Sequence, residues 1–126
     1  MLASQFPGVP VYPSLGNNDV FPDYHFPLNT TSDWMKRMGD LWGTELGWIS
    51  EDAMSTFLPG GFYVVNELWE GGPSLIVLNT VIYSVNFSIN PFPSRPTPVD
   101  ELPEDPNGQF AWLEAQLIQC RERNQE

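Results

Sequence analysis

Proline is concentrated in two segments of this 126-residue chain, and its placement limits where regular structure can form. Five of the 13 prolines lie in residues 1–27, and six lie in residues 90–106. Proline lacks a backbone N–H and clashes with the preceding helical turn, so helix interiors and central strands exclude it. We therefore predict loops over most of both segments, with the regular elements between them and after the second one.

Two helices are predicted in the middle of the chain. Residues 34–42 have apolar positions at three- and four-residue spacing, with Ser32 or Asp33 as the N-cap. A second short helix begins at Ser50, because two acidic residues follow in the first turn, where they interact favourably with the helix dipole. The Pro-Gly-Gly run of residues 59–61 ends it.

Three strands are predicted. Residues 62–69 and 75–84 are rich in β-branched and aromatic residues and flank a Glu-Gly-Gly-Pro turn, which predicts a hairpin. The run 75–78 is continuously apolar and is therefore expected to be covered on both faces. A short strand is also predicted over residues 11–15, and a loop over residues 16–27 follows it. Together with the helices, these strands predict an α/β fold.

A terminal helix follows the second proline-rich segment. Asp105 is its predicted cap and Pro106 its first residue. Its predicted buried stripe is Phe110, Leu113, Leu117 and Cys120. A helix with such a stripe normally leads into another strand of an α/β sheet, so the sequence resembles the middle of a larger domain.

The balance of charge excludes several classes of partner. Five Lys and Arg stand against 16 Asp and Glu, a formal net charge of −11, so we expect no binding to nucleic acid or to anionic membranes. No apolar run approaches the roughly 18 residues of a transmembrane segment, and the first residues do not resemble a signal peptide. A single cysteine, Cys120, excludes an internal disulfide.

The Gly-Asn-Asn-Asp run of residues 16–19 directly follows the first predicted strand, where α/β proteins place active-site residues. The side-chain oxygen of Asn17 suits a divalent metal, Asp19 can orient a neighbouring group, and Gly16 permits a tight reversal. The same four residues are also typical of an ordinary β-turn, and both interpretations remain open on the residues alone.

Residues 10–19 resemble the Gly-Asn-His-Asp/Glu block of calcineurin-like metallophosphoesterases, in particular their acid sphingomyelinase-like branch. Residues 60–63, 75–80 and 105–113 resemble later blocks of that branch in the same order. The Asn-Asn-Asp form is also similar to vacuolar endopolyphosphatases. The resemblance implies a β-sandwich flanked by helices, of which residues 1–126 are a central segment without the metal-ligand blocks on either side.

The resemblance also implies roles for three residues. Asn17 is then a ligand of a divalent metal pair (Zn, with Mn or Fe as alternatives), and Asp19 is a supporting residue. Asn18 stands where the family has a catalytic histidine, and an amide cannot supply a proton. The implied activity is hydrolysis of a small-molecule or lipid phosphoester by metal-activated water. Because the flanking segments hold the other ligands, this chain alone is expected to bind metal weakly and to be inactive.

Two alternatives stay open: a non-catalytic pseudoenzyme or binding module, and a phosphoanhydride hydrolase resembling endopolyphosphatases.

The sole histidine, His25, is expected at the surface or on the substrate side. Asn29 and Asn86 begin N-glycosylation sequons, which agree with the extracellular, lysosomal or vacuolar location that the resemblance implies. Asn79 and Asn86 either line the site or, in the favoured interpretation, cap turns.

Overall fold

The computed structural model describes residues 2–26, 32–89 and 96–124. The α-helices are α1 (Leu2–Gln5), α2 (Asp33–Gly39), α3 (Glu51–Gly60) and α4 (Gln109–Glu122), and the strands are β1 (Tyr63–Val65) and β2 (Leu75–Val77). A π-helical segment, Asp40–Glu45, continues α2, and four 3-10 turns cover Asn17–Asp19, Val81–Tyr83, Val99–Glu101 and Pro106–Gly108. Among the described residues, no helix has the length and apolar character needed to span a bilayer.

The two central helices begin where the sequence predicts. The Ser32 hydroxyl accepts a hydrogen bond from the backbone N–H of Met35, at the start of α2. Ser50 does the same for the N–H of Ala53, at the start of α3. Each serine satisfies an N–H that the helix itself cannot pair, so both predicted N-caps are confirmed.

The predicted hairpin is confirmed, but its strands are much shorter than expected. β1 and β2 are antiparallel, with Tyr63 opposite Val77 and three residues in each strand. The chain leaves the sheet after Val77 and forms a 3-10 turn over Val81–Tyr83. The prediction that residues 75–78 are covered on both faces is wrong, because Leu75 and Ile76 are only partly buried.

The predicted strand over residues 11–15 is wrong. This segment has no regular secondary structure. Pro10 and Pro13 have no N–H to donate to a neighbouring strand, which weakens any pairing. The segment is instead held by its side chains and carbonyls: Leu15 is buried in the core, and the Tyr63 hydroxyl donates to the carbonyl of Pro13 over 2.8 Å.

The α/β prediction is confirmed only as a mixture of helices and strands. Within residues 2–26, 32–89 and 96–124 there is one two-stranded antiparallel sheet, so the described part forms no β-sandwich. In the predicted loop 90–106, residues 90–95 lie outside the described residues. From residue 96 to residue 105 the only regular structure is the 3-10 turn Val99–Glu101.

The core lies between α2, α3 and the hairpin, and it includes side chains from two loops. Phe57 of α3 contacts Tyr63 of β1 edge-on, with ring centroids 6.2 Å apart. Phe26 and Phe87, from the loops on either side of these elements, are almost completely buried in the same cluster. Leu15, Val20 and Phe26 anchor the loop that carries residues 17–19 to this core, while Asn18 and Asp19 remain exposed.

The predicted buried stripe of α4 is wrong. Phe110 and Leu117 are 53% and 55% exposed, and Leu113 and Cys120 are only partly buried. The helix is attached mainly near its beginning, where Trp112 packs on Phe62 with ring centroids 4.7 Å apart. No described element packs against the apolar side of the helix. The predicted stripe is therefore not buried, because apolar spacing leads to burial only where a neighbouring element covers it.

Asp105 precedes the 3-10 turn Pro106–Gly108 rather than α4 itself, but its side chain caps α4 as predicted. Its carboxylate accepts hydrogen bonds from the backbone N–H groups of Phe110 and Ala111, over 2.9 and 3.1 Å. The prediction that Pro106 is the first residue of the helix is wrong: Pro106 begins a 3-10 turn, and α4 starts at Gln109 because Asn107 and Gly108 have positive φ, of 58° and 69°.

Candidate active site

Residues 16–19 form a tight turn that Asp19 closes. The Asp19 carboxylate accepts the N–H of Gly16 over 2.7 Å, and the N–H of Asp19 donates to the Gly16 carbonyl over 3.2 Å. The turn makes no use of the conformational freedom expected of Gly16, because its φ of −116° is one that any residue adopts. The carboxylate of Asp19, rather than the flexibility of Gly16, stabilises the turn.

Asn17 is partly buried at the start of this turn. Its Nδ2 donates to the Oδ1 of Asn18 over 2.8 Å, and its backbone carbonyl accepts the N–H of Tyr24 over 3.1 Å. No described residue donates a hydrogen bond to the Oδ1 of Asn17. This oxygen is therefore free to accept from, or coordinate, a group outside the described part of the chain.

Asn18 and Asp19 lie at a cleft of about 510 Å³, which we call the Asn18 cleft. Its other lining residues are Val20, Phe21, Asp23, His25, Ser32 and Trp34. The structure therefore brings Asn18, Asp19 and the sole histidine to one hollow, beside two aromatic side chains. Asn17 is not among the lining residues and stands next to the cleft.

His25 is held in place by a distant segment of the chain. It forms an isolated parallel β-bridge with Ser88, and its Nδ1 lies 3.0 Å from the Ser88 carbonyl. A carbonyl oxygen only accepts, so Nδ1 carries the proton of this hydrogen bond. The sequence indicated a surface or substrate-side histidine but gave no sign of the cleft, because Ser88 is 63 residues away.

Asn79 is structural. It is fully buried; its Nδ2 donates to the carbonyl of Gly60 over 3.0 Å, and its Oδ1 accepts the N–H of Val81 over 3.2 Å. The turn-capping interpretation is confirmed for Asn79. Asn86 is exposed in a turn, whereas the other sequon residue, Asn29, lies outside the described residues.

The donors of a complete metal site are not assembled by the described residues. In this part of the chain, no group of three or more His, Cys, Asp or Glu side chains could hold a metal ion. The Asn17 amide oxygen is a suitable single ligand for a hard or borderline divalent metal, but one neutral oxygen does not fit a pair of metals. The roles of Asn17, Asn18 and Asp19 stay predictions.

Comparison with known proteins identifies the class of protein to which this segment is related. Homologues that match about nine-tenths of the chain are acid sphingomyelinase-like phosphodiesterases and an endopolyphosphatase, which confirms the resemblance seen in the sequence. The chain spans only 14% to 24% of the length of these relatives. No family model matches the chain.

Three relatives illustrate the range. Sphingomyelinase phosphodiesterase D of Dictyostelium discoideum is 38% identical over 121 residues, which cover 96% of this chain and 24% of the relative. The cyclic GMP-AMP phosphodiesterase SMPDL3A of Mus musculus is 36% identical over 112 residues, 89% of this chain and 22% of the relative. An endopolyphosphatase of Yarrowia lipolytica is 30% identical over 115 residues, 91% of this chain and 14% of the relative.

Proposed function

We propose that this chain is a segment of a metal-dependent phosphoric ester hydrolase, and that the whole enzyme is a phosphodiesterase. The observation that carries the proposal is the 38% identity to a sphingomyelinase phosphodiesterase across nearly the entire chain. The Asn18 cleft adds to it, since polar side chains gather there at the turn that resembles the family's metal-binding block.

In this proposal the two asparagines have different tasks. Asn17 offers its unpartnered Oδ1 as one metal ligand, while Asp19 keeps the turn closed through its hydrogen bond to Gly16. The Oδ1 of Asn18 already accepts from Asn17, so the Nδ2 of Asn18 is left to donate toward an anionic phosphoryl oxygen. A bound metal pair supplies an activated water and neutralises charge on the phosphoryl group.

The remaining metal ligands come from outside the described residues. We therefore expect the 126-residue chain alone to bind Zn²⁺ or Mn²⁺ no better than a generic acidic protein, and to hydrolyse phosphoesters at no useful rate. Calorimetry with ZnCl₂ and MnCl₂ tests the first expectation. Stoichiometric sub-micromolar binding would contradict it.

Phosphoanhydride hydrolysis is the second candidate, favoured by the Asn-Asn-Asp sequence and by the endopolyphosphatase among the relatives. The formal charge of −11 disfavours it, because an acidic segment repels polyanionic substrates. A phosphodiester, with a single negative charge, is therefore the preferred substrate class.

We also propose that the enzyme works outside the cell or in a lysosomal or vacuolar lumen. The exposed Asn86 leaves its sequon accessible to glycosylation. Expression behind a secretory leader should add a glycan that Asn86→Gln removes, as seen by gel mobility before and after deglycosylation. Asn66→Gln, at an exposed asparagine without a sequon, is the control that leaves the mobility unchanged.

A chimera tests the catalytic proposal. This chain replaces the matching 121-residue segment of the Dictyostelium relative, and the chimera is assayed on bis(p-nitrophenyl) phosphate and on polyphosphate. We expect hydrolysis of the diester. Asn17→Ala should reduce it by orders of magnitude, Asn18→His should preserve or raise it, and Asp100→Ala, in an exposed 3-10 turn, should leave it unchanged.

The outcomes separate the candidates. Greater activity on polyphosphate than on the diester would favour the phosphoanhydride hydrolase. A folded chimera that hydrolyses neither substrate would favour the pseudoenzyme or binding module. Full activity after Asn17→Ala would overturn the assignment of Asn17 as a ligand.

A further inference from the structure

We propose that His25 is the proton donor to the leaving oxygen in the reaction of the Asn18 cleft, an inference that rests on the proposed phosphodiesterase function. Hydrolysis of an alkyl phosphoester releases an alkoxide, which needs a proton as its bond to phosphorus breaks. The amide of Asn18 can donate a hydrogen bond to this oxygen but cannot transfer a proton to it. Another residue of the same cleft can supply the proton.

The composition of the cleft points to His25. Its polar lining residues are two carboxylic acids, an amide, a hydroxyl and one imidazole. Among these residue types, histidine is the most frequent proton donor in enzyme catalysis. The Asp19 Oδ2 already accepts the Gly16 N–H, so Asp19 has a structural role in the turn.

The geometry leaves one ring nitrogen available. The hydrogen bond from Nδ1 to the Ser88 carbonyl fixes the orientation of the ring, and the N–H of Ser88 in turn donates to the Tyr24 carbonyl over 3.1 Å. His25 is also anchored through its own N–H, which donates to Pro22 over 3.0 Å. Nε2 has no hydrogen-bond partner among the described residues, so it can face a substrate.

The step balances in atoms and charge. Water attacks phosphorus, forms the new P–O bond and releases one proton to solvent, while the bond to the leaving oxygen breaks and leaves its electron pair on that oxygen. The proton on Nε2 moves to the leaving oxygen and produces an alcohol. The neutral imidazole that remains, still protonated at Nδ1, regains its second proton from solvent.

The dependence of rate on the leaving group tests this role in the chimera described above. The substrates are the p-nitrophenyl and benzyl esters of phosphocholine. The p-nitrophenolate ion leaves without being protonated, whereas the benzyl alkoxide needs a proton in order to leave. We expect His25→Gln to lower kcat on the benzyl ester by about 10²–10⁴-fold, and on the p-nitrophenyl ester by less than about 10-fold. Equal losses on both esters, or no loss on the benzyl ester, would overturn the assignment.

A double variant separates proton donation from structural support. If His25 acts as the proton donor, adding Asn18→His to His25→Gln should restore activity on the benzyl ester, since it returns an imidazole to the same cleft. No recovery in a folded double variant would overturn the proposal. An unsubstituted chimera that is inactive on both esters would overturn the proposed function itself, whereas an active chimera insensitive to His25→Gln overturns only the role of His25.

Discussion

The side-chain amide of Gln109 pairs with the backbone of Asn79, thirty residues earlier in the chain. Its Oε1 accepts the N–H of Asn79 over 2.8 Å, and its Nε2 donates to the Asn79 carbonyl over 3.2 Å. Both residues are almost fully buried, with exposures of 2% and 0%. The first residue of α4 thus supplies the hydrogen bonds that a neighbouring strand would otherwise give to the chain after β2.

Gln109→Ala should destabilise the chain by about 2–4 kcal/mol, because each buried polar group left unpaired costs about 1–3 kcal/mol. Urea denaturation followed by tryptophan fluorescence measures the change. The matched control is Gln119→Ala, at an exposed position of the same helix, which should change stability by less than about 0.5 kcal/mol. Similar losses in the two variants would contradict a special role for the Gln109 pairing.

Gly61→Ala should be more destabilising than Gly71→Ala, although both glycines have positive φ, of 74° and 70°. A Cβ at position 61 would lie 2.7 Å from the Leu15 Cδ1 and 3.0 Å from the Asn79 Nδ2, whereas a Cβ at position 71 meets nothing within 4 Å. The backbone cost is about 1–2 kcal/mol in each variant, and overpacking adds about 1–3 kcal/mol at position 61 only. Equal unfolding midpoints for the two variants would contradict this.

Asp105→Ala should lower stability at neutral pH by about 1 kcal/mol, the usual cost of losing a helix cap. Partial desolvation acts to raise the pKa of Asp105, but hydrogen bonds from the Phe110 and Ala111 N–H groups and the Tyr83 hydroxyl hold it below its ordinary value. A lowered folded-state pKa stabilises the fold above the unfolded pKa, and the contribution disappears as pH falls through the folded value. The difference between wild type and Asp105→Ala should therefore shrink in acid, and denaturation at a series of pH values measures it. A difference that is independent of pH would contradict this account.

Tyr63→Phe should make the chain less sensitive to alkali. Desolvation, with a smaller contribution from Tyr12, raises the pKa of Tyr63 from 10.0 to about 12. Because the folded value is the higher one, the contribution is complete below pH 10 and is lost as pH rises toward 12. Wild type should lose stability over this interval, and Tyr63→Phe should lose less. Parallel pH profiles for wild type and Tyr63→Phe would show that the hydroxyl stays accessible to water.

Local signals in the sequence were sufficient for the helix starts and for the hairpin. Ser32, Ser50 and Asp105 each cap the helix they were expected to cap, because capping involves a side chain and a backbone N–H only a few residues away. The hairpin joins two strands that are adjacent in sequence, through a connection over residues 66–74 that contains the predicted turn. Contacts of this range leave a clear pattern in the residues.

Features that depend on distant partners could not be predicted. The segment 11–15 has strand-like residues, but no described strand pairs with it. Likewise, α4 has an apolar stripe, but no described element packs against that stripe. The position of His25 in the Asn18 cleft depends on Ser88, which no local pattern links to it. Residues 16–19 marked the turn of the candidate site, while the lining of the cleft by Asp23, His25 and Trp34 emerged only from the fold.

α4 packs on the rest of the chain mainly at its first turns, and an exposed hydrogen bond from Arg123 to Asn66 is a weaker attachment at its end, which has a consequence for its dynamics. A 14-residue helix has little stability of its own in water, and Phe110, Leu117 and Ile118 gain little by remaining exposed. Amide exchange in α4 should therefore be slowest beside Gln109 and should accelerate toward Glu122, so that the helix unwinds from its far end while the rest of the chain stays folded.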